Sequence, residues 1–372
     1  MINRFVEASF KILLLFFSLG VLCAQVKPLR NGWDRDFFFV GQISEEGILE
    51  TNENSIGVAL KSAGEVELGG LLKVVFETDK SVKGIEMFLV SPAELKDYTL
   101  RSLKIYFEGK PLKYLLRSYG FRVGKKLFSR IGKGNGEVWM ILLGIPSFFK
   151  SGDYKIILKV RNDKGIFFYV SNLKIKYRHF RFEKLALNSH LTALKESKDP
   201  LIFEQTRELI KILRSFDREK VFYIQKFLPP VKAVRVTSSF GERREYDYLD
   251  GKKERRIHNG IDYAVPVGTP VKACGDGEVV FSGDRIITGK SIVLEHMPGV
   301  FSIYYHLSKL VVKRGDVVKR GTVIGYSGMS GFATGPHLHW EIRVSGVAVD
   351  PKCFLQENLI DKTLFMNNIK KP

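Results

Sequence analysis

Five of the chain's seven histidines fall between His258 and His339, and their spacing limits what the chain can fold into. His258-Asn-Gly-Ile-Asp262 lies far upstream of His337-Leu338-His339. On an extended strand, residues two or four apart point to the same face. Gly260 is a poor helix-interior residue, so the His258/Asp262 spacing reads as extended chain rather than as a helical His-Glu-x-x-His site. His258 and Asp262 then converge, and so do His337 and His339. Either pair alone has a bland reading, a histidine satisfied in a core or at a surface. Together, in a glycine-rich β segment, they match the two imidazoles and one carboxylate of a catalytic zinc site with an open position. The fold must therefore bring two distant β segments side by side, and hydrolytic chemistry is the leading expectation.

A chain of 372 residues with 45% hydrophobic content is long enough for two domains with buried cores. The formal net charge of +19 favours anionic partners: nucleic acid, anionic lipid or an acidic polymer such as cell wall. Residues 1–25 bear on that choice. Arg4 and Lys11 precede an apolar run from Ile12 to Val21, and Cys23-Ala24-Gln25 follows as a cleavage region. This is a secretory signal peptide in outline. An uncleaved anchor or a lipidated Cys23 is the alternative and would keep the protein near a membrane, although Leu22 is large for a lipidation motif. Export to the periplasm or cell envelope argues against a nucleic-acid partner. Cys274 and Cys353 remain after cleavage, and the sequence does not decide whether they pair; it is also silent on oligomeric state.

The expected fold is mainly β. Residues 26–185 read as a β-rich accessory domain, an immunoglobulin-like sandwich being the expectation. Leu173, Ile175 and Tyr177 alternate there with Lys174, Lys176 and Arg178. Residues 186–225 read as a helical connector: Asp199 caps it, Pro200 suits its first turn, and Ile202, Leu209, Leu213 and Phe216 form one apolar stripe. Pro229-Pro230 stiffens the chain as it passes into a glycine-rich β domain, residues 226–372. Two stretches of that domain, Val271 to Gly283 and Val318 to Gly328, resemble one another as a weak internal repeat.

Zinc held by two neutral imidazoles and one carboxylate keeps net positive charge, so it acts as a Lewis acid and acidifies a bound water. His306 ends a strand on which Ser302, Tyr304 and His306 are expected to share a face; there it could orient water or accept its proton. His296, beside the Met297-Pro298-Gly299 turn, reads as structural. Glu341 either orients a ligand or is a surface carboxylate, and Trp340 reads as core. The charged stretch from Arg244 to Arg256 reads as a solvated loop, or alternatively as a flap over the groove, with Tyr246 and Tyr248 the residues to follow.

From about Val236 to Phe354 the chain resembles the LytM/lysostaphin-type zinc metallopeptidases, peptidase family M23. Val-Thr-Ser-Ser-Phe-Gly-Glu-Arg243 is similar to the strand that opens the family's domain. His258-Asn-Gly-Ile-Asp262 is similar to its first metal motif, Tyr305-His306-Leu-Ser308 to its middle motif, and Gly335-Pro-His337-Leu-His339-Trp-Glu341 to its last. The resemblance implies a two-sheet β domain with a groove and one Zn²⁺ bound by His258, Asp262 and His339. It implies that His306 and His337 are the catalytic histidines, and that the substrate is the peptide stems and cross-links of bacterial peptidoglycan. The alternative function is a non-catalytic cell-wall-binding or regulatory scaffold with the same fold; it is weakened because none of the five positions is lost.

Overall fold

The computed structural model describes residues 42–43, 49–50, 65–78, 82–90, 116–123, 137–162, 165–214, 220–232, 235–356 and 358–359. The expected signal peptide, Cys23 and Phe216 lie outside these residues. The architecture is mainly β, as the patterning predicts.

The N-terminal half contributes β1 (Gln42–Ile43), β2 (Leu49–Glu50), β3 (Glu65–Glu67), β4 (Leu71–Thr78), β5 (Gly84–Val90), β6 (Leu116–Tyr119), β7 (Phe121–Val123), β8 (Glu137–Gly144), β9 (Gly152–Asn162) and β10 (Gly165–Lys176). β1 pairs with β2, while a five-stranded sheet runs β3-β10-β9-β5-β6 and a three-stranded sheet runs β4-β8-β7. One core fills the space between these two larger sheets. Ile85, Met87, Leu89, Ile156, Leu158, Leu173 and Ile175 come from the first sheet, and Leu72, Val74, Trp139, Ile141 and Leu143 from the second. β8 reads Glu-Val-Trp-Met-Ile-Leu-Leu-Gly, with no polar alternation along its apolar stretch. The reason is that its second face is also buried: Met140 and Leu142 belong to the core of the C-terminal half. A strand covered on both faces has no wet side to mark with polar residues.

The chain then forms β11 (Phe182–Ala186), α1 (Ser189–Glu196) and α2 (Pro200–Arg214). Asn188 caps α1 by accepting from the Leu191 amide at 2.9 Å, and Asp199 accepts from the Leu201 amide at 2.8 Å. α2 packs through its apolar stripe, and the surface it meets is the C-terminal half: Leu209 and Leu213 pack on Val293, Phe301, Ile303 and Tyr305. Residues 220–232 join the same half, with Tyr223, Ile224, Phe227 and Val231 in its core.

The C-terminal half comprises β12 (Arg235–Ser238), β13 (Arg243–Asp247), β14 (Lys253–Ile257), β15 (Ile261–Ala264), β16 (Pro270–Lys272), β17 (Gly277–Arg285), β18 (Gly289–Met297), β19 (Val300–Leu310), β20 (Val317–Val318), β21 (Val323–Ser327), β22 (Leu338–Val344), β23 (Val347–Val349) and α3 (Lys352–Gln356). Its main sheet runs β12-β15-β22-β19-β18-β17-β20, with β16, β21 and β23 attached. The internal repeat has a structural meaning. Each unit is a short strand, a turn and a longer strand, and the two units exchange partners: β16 pairs with β21 and β20 with β17.

The stretch from Arg244 to Arg256 is an ordered hairpin, which corrects its reading as a solvated loop. β13 and β14 pair antiparallel, and β11 adds in parallel to the other edge of β13. Tyr246 and Tyr248 are buried against Leu187 and Leu191. Cys274 and Cys353 are both free thiols.

Candidate metal centre

Strand register places the carboxylate and one imidazole. Asp262 on β15 is the direct partner of His339 on β22, and Tyr305 on β19 flanks His339 from the other side. The Tyr305 ring stacks on His339 with centroids 5.4 Å apart and planes 10° apart. His258 reaches the same point from the link between β14 and β15. Gly260 makes that link workable, because a Cβ there would stand 2.3 Å from the Trp340 carbonyl oxygen.

All three groups are buried. His258 Nε2 lies 3.0 Å from Asp262 Oδ1 and 2.9 Å from His339 Nδ1, and His339 Nδ1 lies 2.7 Å from Asp262 Oδ1. Hydrogen bonds behind the rings fix which nitrogens face inward. His258 Nδ1 donates to the Ser239 carbonyl at 2.9 Å, and His339 Nε2 donates to Glu341 Oε1 at 2.9 Å. Two imidazole lone pairs and a carboxylate oxygen are thus aimed at one another, an arrangement that needs a cation at its centre. The donor set fits Zn²⁺: two nitrogens and one oxygen, with the remaining position open.

In the metal-free cluster a proton on His339 stands where the cation would. Burial opposes ionisation of Asp262, but His339 and His258 outweigh it and hold the carboxyl well below its usual range. Burial likewise lowers His339, but Asp262 and Glu341 more than compensate and lift it to about 9. Glu341 is buried yet held down at about 2 by Arg343 and His339. Arg343 closes the row, its Nε donating to Glu341 Oε2 at 2.7 Å. Glu341 is therefore the outer partner of a ligand, the first of its two sequence readings. Trp340 is fully buried, as expected.

His306 and His337 stand beside this cluster, their rings 4.7 Å apart. Each is pinned through Nδ1, His306 donating to the Ser330 carbonyl and His337 to the Gly335 carbonyl, both at 2.8 Å. Among the described residues neither Nε2 makes a hydrogen bond, and that of His337 lies 3.8 Å from Asp262 Oδ1. Burial and the neighbouring His337 and His339 push His306 down to about 3, and burial lowers His337 too. Both rings are neutral near pH 7.

Strict alternation would place His306 on the face of Ser302 and Tyr304. Instead His306 takes a left-handed φ of 60°, and its ring comes to 6.1 Å from that of His339, on the side of Tyr305. His296 is structural, as its position suggests: it is fully buried, with Nδ1 donating to the Asp276 carbonyl at 2.8 Å and Nε2 2.7 Å from the Ser302 hydroxyl. Sequence reasoning missed Arg244, whose Nη2 donates to Asp262 Oδ2 at 2.7 Å. The linear pattern carries no signal for it, because Arg244 is one cation among several in a charged hairpin.

Comparisons with known proteins agree with this geometry. Residues 256–351 match the model of Peptidase family M23. The chain is 37% identical over 174 residues to the peptidoglycan DD-endopeptidase ShyA of Vibrio cholerae, an alignment covering 45% of this chain and 38% of that protein. It is 41% identical over 124 residues to the DD-carboxypeptidase/endopeptidase Mpg of Neisseria meningitidis, covering 33% of this chain and 28% of that protein. The chain thus spans well under half the length of these curated relatives. Among solved structures, the catalytic domain of lysostaphin from Staphylococcus simulans aligns at 36% identity over 33% of this chain and 92% of that one, with a TM-score of 0.28. Through the segment that carries His258, Asp262 and His339, the chain belongs to peptidase family M23.

Proposed function

We propose that the protein is an exported zinc metalloendopeptidase that hydrolyses peptide cross-links of bacterial peptidoglycan. The observation that carries this reading is the convergence of His258 Nε2, His339 Nδ1 and Asp262 Oδ1, with both imidazole tautomers set from behind. Bound zinc would supply Lewis-acid polarisation of the scissile carbonyl and would acidify the attacking water. The protein supplies the rest. His306 and His337, neutral and pinned through Nδ1, present Nε2 lone pairs beside the cluster. One takes the proton of the attacking water and then passes that same proton to the leaving amine, while the other, still neutral, holds the water in line by accepting its second hydrogen. Glu341 and Arg343 keep His339 in the tautomer that points Nδ1 inward. The names of the relatives, peptidoglycan DD-endopeptidase and DD-carboxypeptidase/endopeptidase, support a wall-peptide substrate, and the net charge of +19 suits an acidic polymer. In this reading residues 1–25 direct export, 26–185 form an accessory domain, 186–225 connect, and 226–372 carry catalysis. Among the described residues no helix is long and apolar enough to cross a membrane.

The test is digestion of defined cross-linked muropeptides followed by product profiling. Zinc-loaded protein should release uncross-linked products. His339→Ala should lose both zinc and cleavage, whereas His306→Ala should retain zinc and cleave at least about 100-fold more slowly, the usual weight of a general acid–base group. Intact muropeptides after incubation with zinc-loaded protein would overturn the proposal.

A further inference from the structure

Asp262 has two oxygens, and only Oδ1 faces the imidazoles. Oδ2 is taken by Arg244, whose Nη2 lies 2.7 Å from it and 2.5 Å from the Ser238 hydroxyl. On its other side the Arg244 Nε faces Glu183 Oε2 of β11 at 3.7 Å. The guanidinium is largely buried, with 16% of its side chain exposed. It is also fixed from below, because β13 is paired on both edges, by β11 and β14.

We propose that Arg244 is a positioning residue of the metal centre, holding Asp262 to the metal through one oxygen only. The inference rests on the reading of His258, Asp262 and His339 as metal ligands. A carboxylate with two free oxygens can turn and clasp a divalent cation with both, which would fill the position that water or substrate must use. Arg244 prevents this by engaging Oδ2 in a charge-assisted hydrogen bond. The residue that sets the ligand lies on the hairpin, not on the sheet that carries the ligands. Its strand is completed by β11, from outside the segment matched to the peptidase family.

The test uses the full-length chain with Arg244→Gln and Arg244→Lys, each checked for fold by circular dichroism. Zinc affinity is measured by competition with a chromophoric chelator, and coordination by the visible spectrum of the cobalt-substituted protein. The expected result for Arg244→Gln is a rise in zinc Kd of about 10–100-fold, the usual range for losing an outer partner of a ligand. Its cobalt absorption should also weaken, as coordination expands from four towards five. Arg244→Lys restores the charge but not the directional bond, so it should recover affinity more fully than it recovers the spectrum. A folded Arg244→Gln protein with unchanged zinc affinity and an unchanged cobalt spectrum overturns the proposal. Wild-type protein that binds neither metal would instead refute the metal-site reading beneath it.

Discussion

His339 shows how much a single residue's chemistry depends on neighbours that the sequence only half reveals. Its pairing with Glu341 follows from period-two alternation, because both sit on one face of β22. Which reading of Glu341 holds depends on burial, and burial comes from the second layer of packing. Glu341→Gln should leave the fold intact while raising the zinc Kd by about 10-fold or more in chelator competition; an unchanged Kd would show that the carboxylate is incidental. That His306 would lie near the metal motifs was legible, but its direction was not. A left-handed backbone at one residue breaks the alternation on which the linear reading relies.

His296 supports a different kind of test. Burial lowers it from 6.5 to about 4, so the folded state resists protonation. Above pH 6.5 the ring is neutral in both folded and unfolded chains, and the shift costs nothing. As the pH falls from about 6.5 towards 4, the unfolded chain takes up a proton that the folded chain refuses. Stability then declines by about 1.4 kcal/mol per pH unit, to a total of about 3 kcal/mol. In urea titrations His296→Gln should lose this component, so its deficit relative to wild type should shrink between pH 7 and pH 4.5. A constant deficit would sink the assignment.

Among the elements, the hairpin β13–β14 departs furthest from its sequence reading. Arg-Arg-Glu-Tyr-Asp looks like a solvated stretch because it is densely charged. The structure instead buries Tyr246 and Tyr248 under Leu187 and Leu191 and pairs the charges across and beside the strands, as in Arg255 with Glu245 at 2.9 Å. No local pattern announces a parallel partner some sixty residues upstream. A fragment beginning at residue 226 would lose β11, α1 and α2, baring one edge of β13 and the face under Leu213. It should melt about 5–10 °C below a fragment beginning at residue 178, which keeps all three; equal melting temperatures would refute this dependence. The α2 stripe, by contrast, was legible, because 3.6-residue periodicity is a local property. Leu213→Ala should cost about 2–4 kcal/mol in urea denaturation, through the contacts it leaves on Phe301 and Ile303.

Across the whole molecule, the mainly β class and the pairing of the two metal motifs could be read from the chain, whereas the junction between its halves could not. That junction is built by β8, whose alternate residues enter two different cores. Gly144 ends the strand where a Cβ would stand 2.6 Å from Val349 Cγ1. Arg178 adds an ion pair to Asp350 at 2.6 Å. Continuous apolar sequence shows that both faces are covered but not by what. Because one strand serves both cores, near-UV circular dichroism and zinc release should report a single coincident unfolding transition, and Leu142→Ala should shift both together. Two separated transitions would show that the halves are independent.

The separation of Asp262 from His339 along the chain, 77 positions, also bears on when metal can be acquired. Between them lie β16 to β21, whose exchanged pairings close long loops and so form late, at an entropic cost that local structure does not bear. A chain threaded through a membrane from its N-terminus would expose His258 and Asp262 well before His339 emerged, and two donors make a weak half-site. The metal would therefore be captured from the compartment where the protein finishes folding. Zinc supply at that destination, rather than at the ribosome, would set how much of the protein becomes competent.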